Sequence, residues 1–205
     1  MPLLSKASEG SADPYNGFVC GVSYVLLHDC PPSNVVFVFM ITIREIQIED
    51  AENLLNLLKK LDAETTFLLY EKGERKITIE QQRKNIQEQL EKGVLTFVLE
   101  DNKKLVGYVF GNIFTANRKK HCMNLAIAVL QEYTGKGYGT KLMRTLEKQA
   151  IKNGITRLEL EVSKKNKVAI SLYQKIGFEM EGVKKSAFLV NGKYEDELLM
   201  AKIIK

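Results

Sequence analysis

Residues 131–140 read Gln-Glu-Tyr-Thr-Gly-Lys-Gly-Tyr-Gly-Thr, with an apolar run before them and an amphipathic run after. Three alternate glycines leave backbone N–H groups uncovered by side chains. A helix that starts there adds unpaired N–H groups and the positive end of its dipole. Together they form a cradle for a phosphate or pyrophosphate, and Lys136 adds a charge. A tight strand-to-helix turn needs one such glycine; three at spacing two, with a lysine, exceed that need. No Gly-x-x-x-x-Gly-Lys-Ser/Thr string occurs, which excludes a P-loop. In the dinucleotide pattern Gly-x-Gly-x-x-Gly the third glycine comes one residue later than it does here. Glu159 and Glu161 lie at about the ribose-binding distance, but both alternate with apolar residues on a strand and read as its solvated face.

The elements on either side follow from periodicity. Ile41 to Ile48 alternates as a strand. Asp50 is placed to cap a helix with Leu54, Leu55, Leu58 and Leu61 on one face. Thr78-Ile79-Glu80-Gln81 is a capping box opening a helix whose Ile79, Ile86 and Leu90 share a face, and Gly93 ends it. Val94 to Leu99, Leu105 to Phe114 and Cys122 to Leu130 are strands, with a turn at Asp101-Asn102. The third is nearly all apolar, as a central strand covered on both faces would be. After the glycine loop a helix turns Leu142, Met143, Leu146 and Ala150 inward and stops at Gly154. A strand holding Leu158, Leu160 and Val162, a short helix from Asn166 to Ile176, and two strands joined at Asn191-Gly192 complete the chain. The fold class is α/β, with layers of about four helices on a mixed sheet of about seven strands.

Residues 1–40 differ in texture. They hold all four prolines, two of the three cysteines (Cys20 and Cys30) and only four charged residues. The other 165 residues hold 29 basic and 22 acidic side chains, a net charge of +7. Residues 1–39 are therefore expected to be an extension outside the domain, and residues 40–205 the domain itself. Phe18 to Leu27 is apolar enough for the core of a signal peptide, but Lys6 alone is a thin basic flank and His28-Asp29-Cys30-Pro31-Pro32 is no small-residue cleavage site. No apolar run reaches the ~18 residues of a membrane-spanning helix. No Cys-x-x-Cys spacing occurs, and two histidines with three cysteines give no zinc pattern, so no metal is expected. The odd cysteine count gives no disulfide framework and points to a reducing, cytoplasmic setting.

Val129 to Leu142, carrying the glycine loop, resembles the cofactor motif of the GNAT superfamily of acyl-CoA N-acyltransferases. Asn166-Lys-Val-Ala-Ile-Ser-Leu-Tyr-Gln-Lys-Ile-Gly-Phe178, followed by Glu181-Gly182, is similar to that family's second signature. The resemblance covers Met40 to Lys205, and the order of elements agrees. It implies the GNAT layered fold and acetyl-CoA as co-substrate. One departure is visible: Thr134 stands where the motif opens with arginine or glutamine, which implies a weaker phosphate contact.

The resemblance also implies roles. The strand before the loop should be bulged and splay from its parallel neighbour, so that the pantetheine arm pairs with the main chain of Ile127, Ala128 and Val129. The pyrophosphate falls to the amides of Gly135, Lys136, Gly137, Tyr138, Gly139 and Thr140. Asn166 matches the residue that holds the arm, and also reads as a helix N-cap. Tyr173 matches the general acid that protonates the departing thiolate; read from periodicity alone it is an aromatic on a helix face with Ala169, Leu172 and Ile176. A backbone N–H near Val129 would stabilise the oxyanion. The base stays open among His121, Asn124 and Glu132.

The function implied is transfer of an acetyl group to a primary amine by direct attack in a ternary complex. The amine is a small amine, an antibiotic or a peptide N-terminus, with Glu71, Glu74, Glu195 and Asp196 as groups able to hold a cation. A non-catalytic acyl-CoA sensor of the same fold is the alternative. A pI near 8.9 and Arg118-Lys119-Lys120 raise nucleic-acid binding. The run lacks interleaved aromatics and a recognition-helix pattern, so it reads as a solvated turn. No nucleic-acid or membrane partner is expected, and a homodimer is allowed.

Overall fold

The structure is a computed structural model that describes residues 41–204. The expectation for residues 1–39 therefore lies outside the described residues. β1 (Ile41–Glu45) is shorter than its alternation suggests, because a single 3-10 turn at Ile48–Asp50 follows it. α1 (Ala51–Glu64) buries Leu54, Leu55, Leu57 and Leu61, while Leu58 is only half-buried. Asp50 stands at its N-cap position but makes no side-chain cap bond there. Its carboxylate instead accepts two bonds from the Arg44 guanidinium, at 2.7 and 2.8 Å, and one from the Gln47 N–H at 2.8 Å. A bidentate charged donor outcompetes a single amide, so Asp50 ties β1 to α1 rather than capping the helix.

α2 (Ile79–Glu91) begins at the capping box as expected: the Gln81 N–H donates to Thr78 Oγ1 at 3.2 Å, and the Thr78 N–H donates to Gln81 Oε1 at 2.8 Å. Ile86 is fully buried; Leu90 points outward and is exposed. β2 (Leu95–Asp101) and β3 (Lys104–Ile113) form a hairpin, and β4 (Cys122–Val129) pairs antiparallel with β3 over its full length. α3 (Tyr138–Lys152) buries the four side chains its periodicity selects, Leu142, Met143, Leu146 and Ala150. β5 (Arg157–Ser163), α4 (Lys167–Lys175), β6 (Glu179–Val190) and β7 (Lys193–Ile203) follow.

The seven strands form one sheet in the order β1-β2-β3-β4-β5-β7-β6. Every neighbouring pair is antiparallel except β4 with β5. A parallel pair needs a crossover, and α3 supplies it. α3 and α4 lie on one face: the side chains of Leu146 and Leu172 reach the positions of Gly111 on β3 and Gly139 on α3. α1 and α2 cover the other face over β1 to β4, so Phe97, Val98 and Leu99 are buried on both sides of β2. Beyond β4 no described helix covers that second face, and Leu199 and Ile203 of β7 are exposed on it.

Candidate active site

The sheet opens between β4 and β5. Their parallel pairing covers only Cys122–Asn124 against Arg157–Glu159. Beyond Asn124, β4 keeps β3 as a partner through Gly107↔Val129 but has no strand among the described residues on its other side. In an antiparallel ladder alternate residues turn their N–H and C=O toward the partner. The Leu130 N–H bonds the Val106 carbonyl at 2.9 Å, so residue 128 faces β3. Ile127 and Val129 consequently turn their main-chain groups into the gap. Of the three residues expected to pair with a pantetheine arm, Ile127 and Val129 thus offer free backbone, while Ala128 spends its main chain on Tyr108. The β3–β4 register runs unbroken, so β4 carries no bulge on that side; register shifts occur instead between β2 and β3, at Leu99/Glu100, and between β6 and β7.

The glycine loop closes the end of the gap. Gly135 and Gly137 have φ of 73° and 81°, a conformation L side chains rarely adopt, and a Cβ at either would meet nothing within 4 Å. The space above the loop is open. Gly137 begins α3 with no side-chain cap, so the amides of Tyr138, Gly139 and Thr140 have no capping side chain. That arrangement fits the pyrophosphate of an acyl-CoA. Thr134 donates its hydroxyl to the Gln131 carbonyl at 2.8 Å, which turns it back into the loop. Lys136 is exposed, 5.3 Å over the Tyr133 ring.

Contacts that the sequence pattern does not announce hold this loop in place. Tyr133 donates to the Asp101 carboxylate at 2.6 Å, which pushes the phenol pKa up to about 12. The Gln131 N–H donates to Glu64 at 3.0 Å, and Glu132 accepts from Lys60 at 2.8 Å. The C-terminal end of α1 and the β2–β3 turn therefore both anchor the cradle.

Tyr173 lies on α4, 5% exposed, with its ring 5.8 Å from Phe178. Its hydroxyl makes no hydrogen bond among the described residues. Burial, with a smaller contribution from Tyr108, holds its pKa well above that of an ordinary phenol. Asn166 is the N-cap of α4, its Oδ1 accepting from the Ala169 N–H at 3.1 Å. Its amide nitrogen makes no hydrogen bond among the described residues. Of the three candidate bases, His121 is exposed just before β4, Glu132 is engaged with Lys60, and Asn124 alone is half-buried beside the gap. Lys119 of the basic run sits 4.5 Å over the Phe114 ring and 3.8 Å from Glu159, in an exposed turn.

Among the described residues no three His, Cys, Asp or Glu side chains gather to hold a metal, and no helix is long and apolar enough to cross a membrane. Cys122 is a free, buried thiol.

A mixed seven-stranded sheet parted at its one parallel pair, with a glycine cradle at the end of the gap, defines a class of layered α/β domain suited to an extended, phosphorylated ligand. Residues 55–178 match the model of the acetyltransferase (GNAT) family, and the chain belongs to that family. It is similar to the L-amino acid N-acetyltransferase AaaT of Escherichia coli (strain K12), with 32% identity over 100 residues, 48% of this chain and 62% of that one. It is similar as well to the spermidine N(1)-acetyltransferase of the same strain, with 32% identity over 122 residues, 57% of this chain and 61% of that one. The matched region thus spans about three-fifths of each of these relatives. Among solved structures, a GNAT-family acetyltransferase from Streptococcus pneumoniae superposes with a TM-score of 0.76 at 28% identity, covering 81% of this chain and 100% of that one.

Proposed function

We propose that this chain is an acetyl-CoA-dependent N-acetyltransferase that acts on a primary amine in a ternary complex. The observation that carries the reading is the β4–β5 gap, which presents unpaired backbone at Ile127 and Val129 and ends at the Gly135–Gly139 cradle. The pantetheine arm then pairs with Ile127 and Val129 as an added strand, with Asn166 holding it from the other side. The amides of residues 135–140 take the pyrophosphate.

In the reaction the amine nitrogen bonds to the acetyl carbon and the carbon–sulfur bond breaks. The amine gives up a proton and the departing sulfur takes one. The Val129 N–H, turned into the gap, is positioned to stabilise negative charge on the acetyl oxygen. Tyr173 supplies the sulfur's proton, and the proton that the amine releases to water restores the phenol. The acceptor is a small-molecule or peptide amine, and a reducing cytoplasm is the compartment in keeping with the Cys122 thiol.

The test joins calorimetry with coenzyme A to steady-state kinetics of Tyr173→Phe. Wild type is expected to bind coenzyme A. The variant is expected to bind it equally well, because backbone holds most of the ligand, yet to lose roughly 10²- to 10⁴-fold in kcat. A variant with full kcat on an accepted amine sinks the acid assignment. Wild-type binding with no transfer to any amine favours a sensor instead.

A further inference from the structure

The cradle loop cannot support its own shape. Between Tyr133 and α3 lie Thr134, Gly135, Lys136 and Gly137, and both glycines take positive φ. Glycines leave an unheld loop many shapes, which must be given up when a ligand arrives. The shape is settled in advance only if both ends of the loop are held. α3 holds one end. The 3-10 turn Gln131–Tyr133 holds the other, and three contacts to distant parts of the chain tie that turn down.

The three contacts differ in strength. Lys60 and Glu132 meet at 2.8 Å with side chains 51% and 60% exposed, where an ion pair contributes little. The Gln131 N–H gives Glu64 a single bond at 3.0 Å, at the surface. The Tyr133 hydroxyl donates to Asp101 at 2.6 Å in a part-buried setting, the length of a charge-assisted O–H···O⁻ bond. Asp101 is a firm post for it. It closes β2, pairs with Ile41 on β1 and Lys104 on β3, and its second oxygen accepts from the Asn102 amide at 2.8 Å.

The ring that carries this hydroxyl spans the loop. It lies 6.5 Å from the ring of Tyr138, the first residue of α3, tilted at 53°, so the pair bridges the loop from one end to the other. Lys136, the one charged side chain in residues 133–140, places its ammonium 5.3 Å from the centre of the same ring. One half-buried side chain thus meets the entry of the loop, its exit and its charge, while its hydroxyl is fixed to the sheet.

We propose that Tyr133 is the positioning residue of the cofactor loop, holding residues 134–140 in the shape that receives the pyrophosphate through its hydroxyl on Asp101 and its ring on Tyr138 and Lys136. The inference rests on the acetyl-CoA reading and adds to it a residue that acts through the loop. A loop that holds its binding shape only part of the time binds more weakly in proportion to that fraction.

The test is calorimetry with coenzyme A on the full chain, with melting temperature beside it. The variants are Tyr133→Phe, Asp101→Ala, Asp101→Asn and the double variant Tyr133→Phe with Asp101→Ala. Tyr133→Phe removes one hydroxyl and keeps the ring. It should weaken coenzyme A binding at least about 5-fold, the scale of one hydrogen bond to a charged group. Asp101→Ala should match that loss, and the double variant should bind no worse than either single one, because both changes remove the same bond. Asp101→Asn keeps an oxygen for the phenol to reach and should recover most of the affinity. Tyr133→Phe and Asp101→Asn decide the matter between them if Asp101→Ala does not fold. An unchanged dissociation constant in Tyr133→Phe, with or without a lower melting temperature, overturns the inference, since the bond then only stabilises the fold. Additive losses in the double variant overturn it too, as does a loss in Asp101→Asn equal to that in Tyr133→Phe. In each of these cases wild type still binds coenzyme A, and the acetyltransferase reading stands. Wild type that fails to bind coenzyme A overturns that reading, and this inference with it.

Discussion

Burial at Tyr173 acts on the phenol and on its reaction partner in the same direction. It raises the phenol pKa above its ordinary value of about 10, which weakens the acid against a thiolate whose conjugate acid lies near 8.5. The same desolvation raises the pKa of a thiol in the gap, so the two stay matched better than solution values suggest. A raised phenol pKa also keeps Tyr173 protonated throughout the working range. The pH profile of kcat/KM is therefore expected to rise as the amine loses its proton and to show no alkaline fall from Tyr173 below about pH 10. A falling limb near pH 8 or 9 that disappears in Tyr173→Phe contradicts this. Gly137 offers a second test at the same scale. At φ 81° a valine there is strained by at least about 1–2 kcal/mol and fills the cradle. Coenzyme A affinity should fall at least about 100-fold, the loss of several amide contacts at once. Gly73→Val controls for strain: its φ is 82° and its surroundings are equally open, yet it lies on the α1–α2 connection. Both variants should lose a similar few degrees in melting temperature, and only Gly137→Val should lose the ligand.

At the scale of elements, sequence disclosed what local pattern controls. The inward face of α3, the Thr78–Gln81 box and the Asn191-Gly192 turn, with φ of 50° and 73°, all follow from residues close in the chain. The parting of β4 from β5 is different. It depends on where β5 begins to pair and how far the pairing runs, and no local pattern encodes that; only the family resemblance pointed to it. Asp50 shows the opposite failure, a residue read by its nearest role when a distant guanidinium offered a stronger one. Burial raises its pKa, and the bonds from Arg44 and Gln47 outweigh burial and leave it below the usual carboxylate value. A carboxyl with a depressed folded pKa contributes stability that is complete above its unfolded pKa and is lost as pH falls through the folded one. Asp50→Asn should thus cost about 1.5–3 kcal/mol at pH 7, the worth of hydrogen bonds to a charged group. The gap in melting temperature between variant and wild type should start to narrow as pH falls below about 4, the unfolded carboxyl's pKa, and go on narrowing as pH falls through the lower folded value. A gap that does not narrow at all between pH 5 and pH 2 shows that shape, not charge, holds β1 to α1.

For the molecule as a whole, the open question is how much chain the fold requires. The seven strands, the four helices and every residue proposed for the site lie within residues 41–204. The Streptococcus pneumoniae acetyltransferase is matched along 100% of its length by 81% of this chain, so a protein of this architecture is complete without a counterpart to the remainder. Composition changes at the same place: prolines end and dense charge begins near Met40. Deletion of residues 1–39 is therefore expected to leave one cooperative unfolding transition and, at 200 mM salt, an unchanged coenzyme A dissociation constant. The net charge offers a separate handle on the same protein. Residues 1–40 carry a net charge of −2 and the remaining 165 carry +7, so deletion leaves the basic domain without its acidic head. Attraction for an anionic ligand would then strengthen slightly, and only at low salt, since exposed charges are screened over about 10 Å at 0.1 M. The comparison is best made by calorimetry at 20 mM and 200 mM salt, beside thermal melts of both proteins. Equal affinities at high salt, with melting temperatures within about 4 °C, the shift that roughly 1 kcal/mol gives in a domain of this size, place the fold and the ligand site in residues 40–205. A larger drop, or coenzyme A binding lost at both salt concentrations, assigns the head to the core and removes the boundary at Met40.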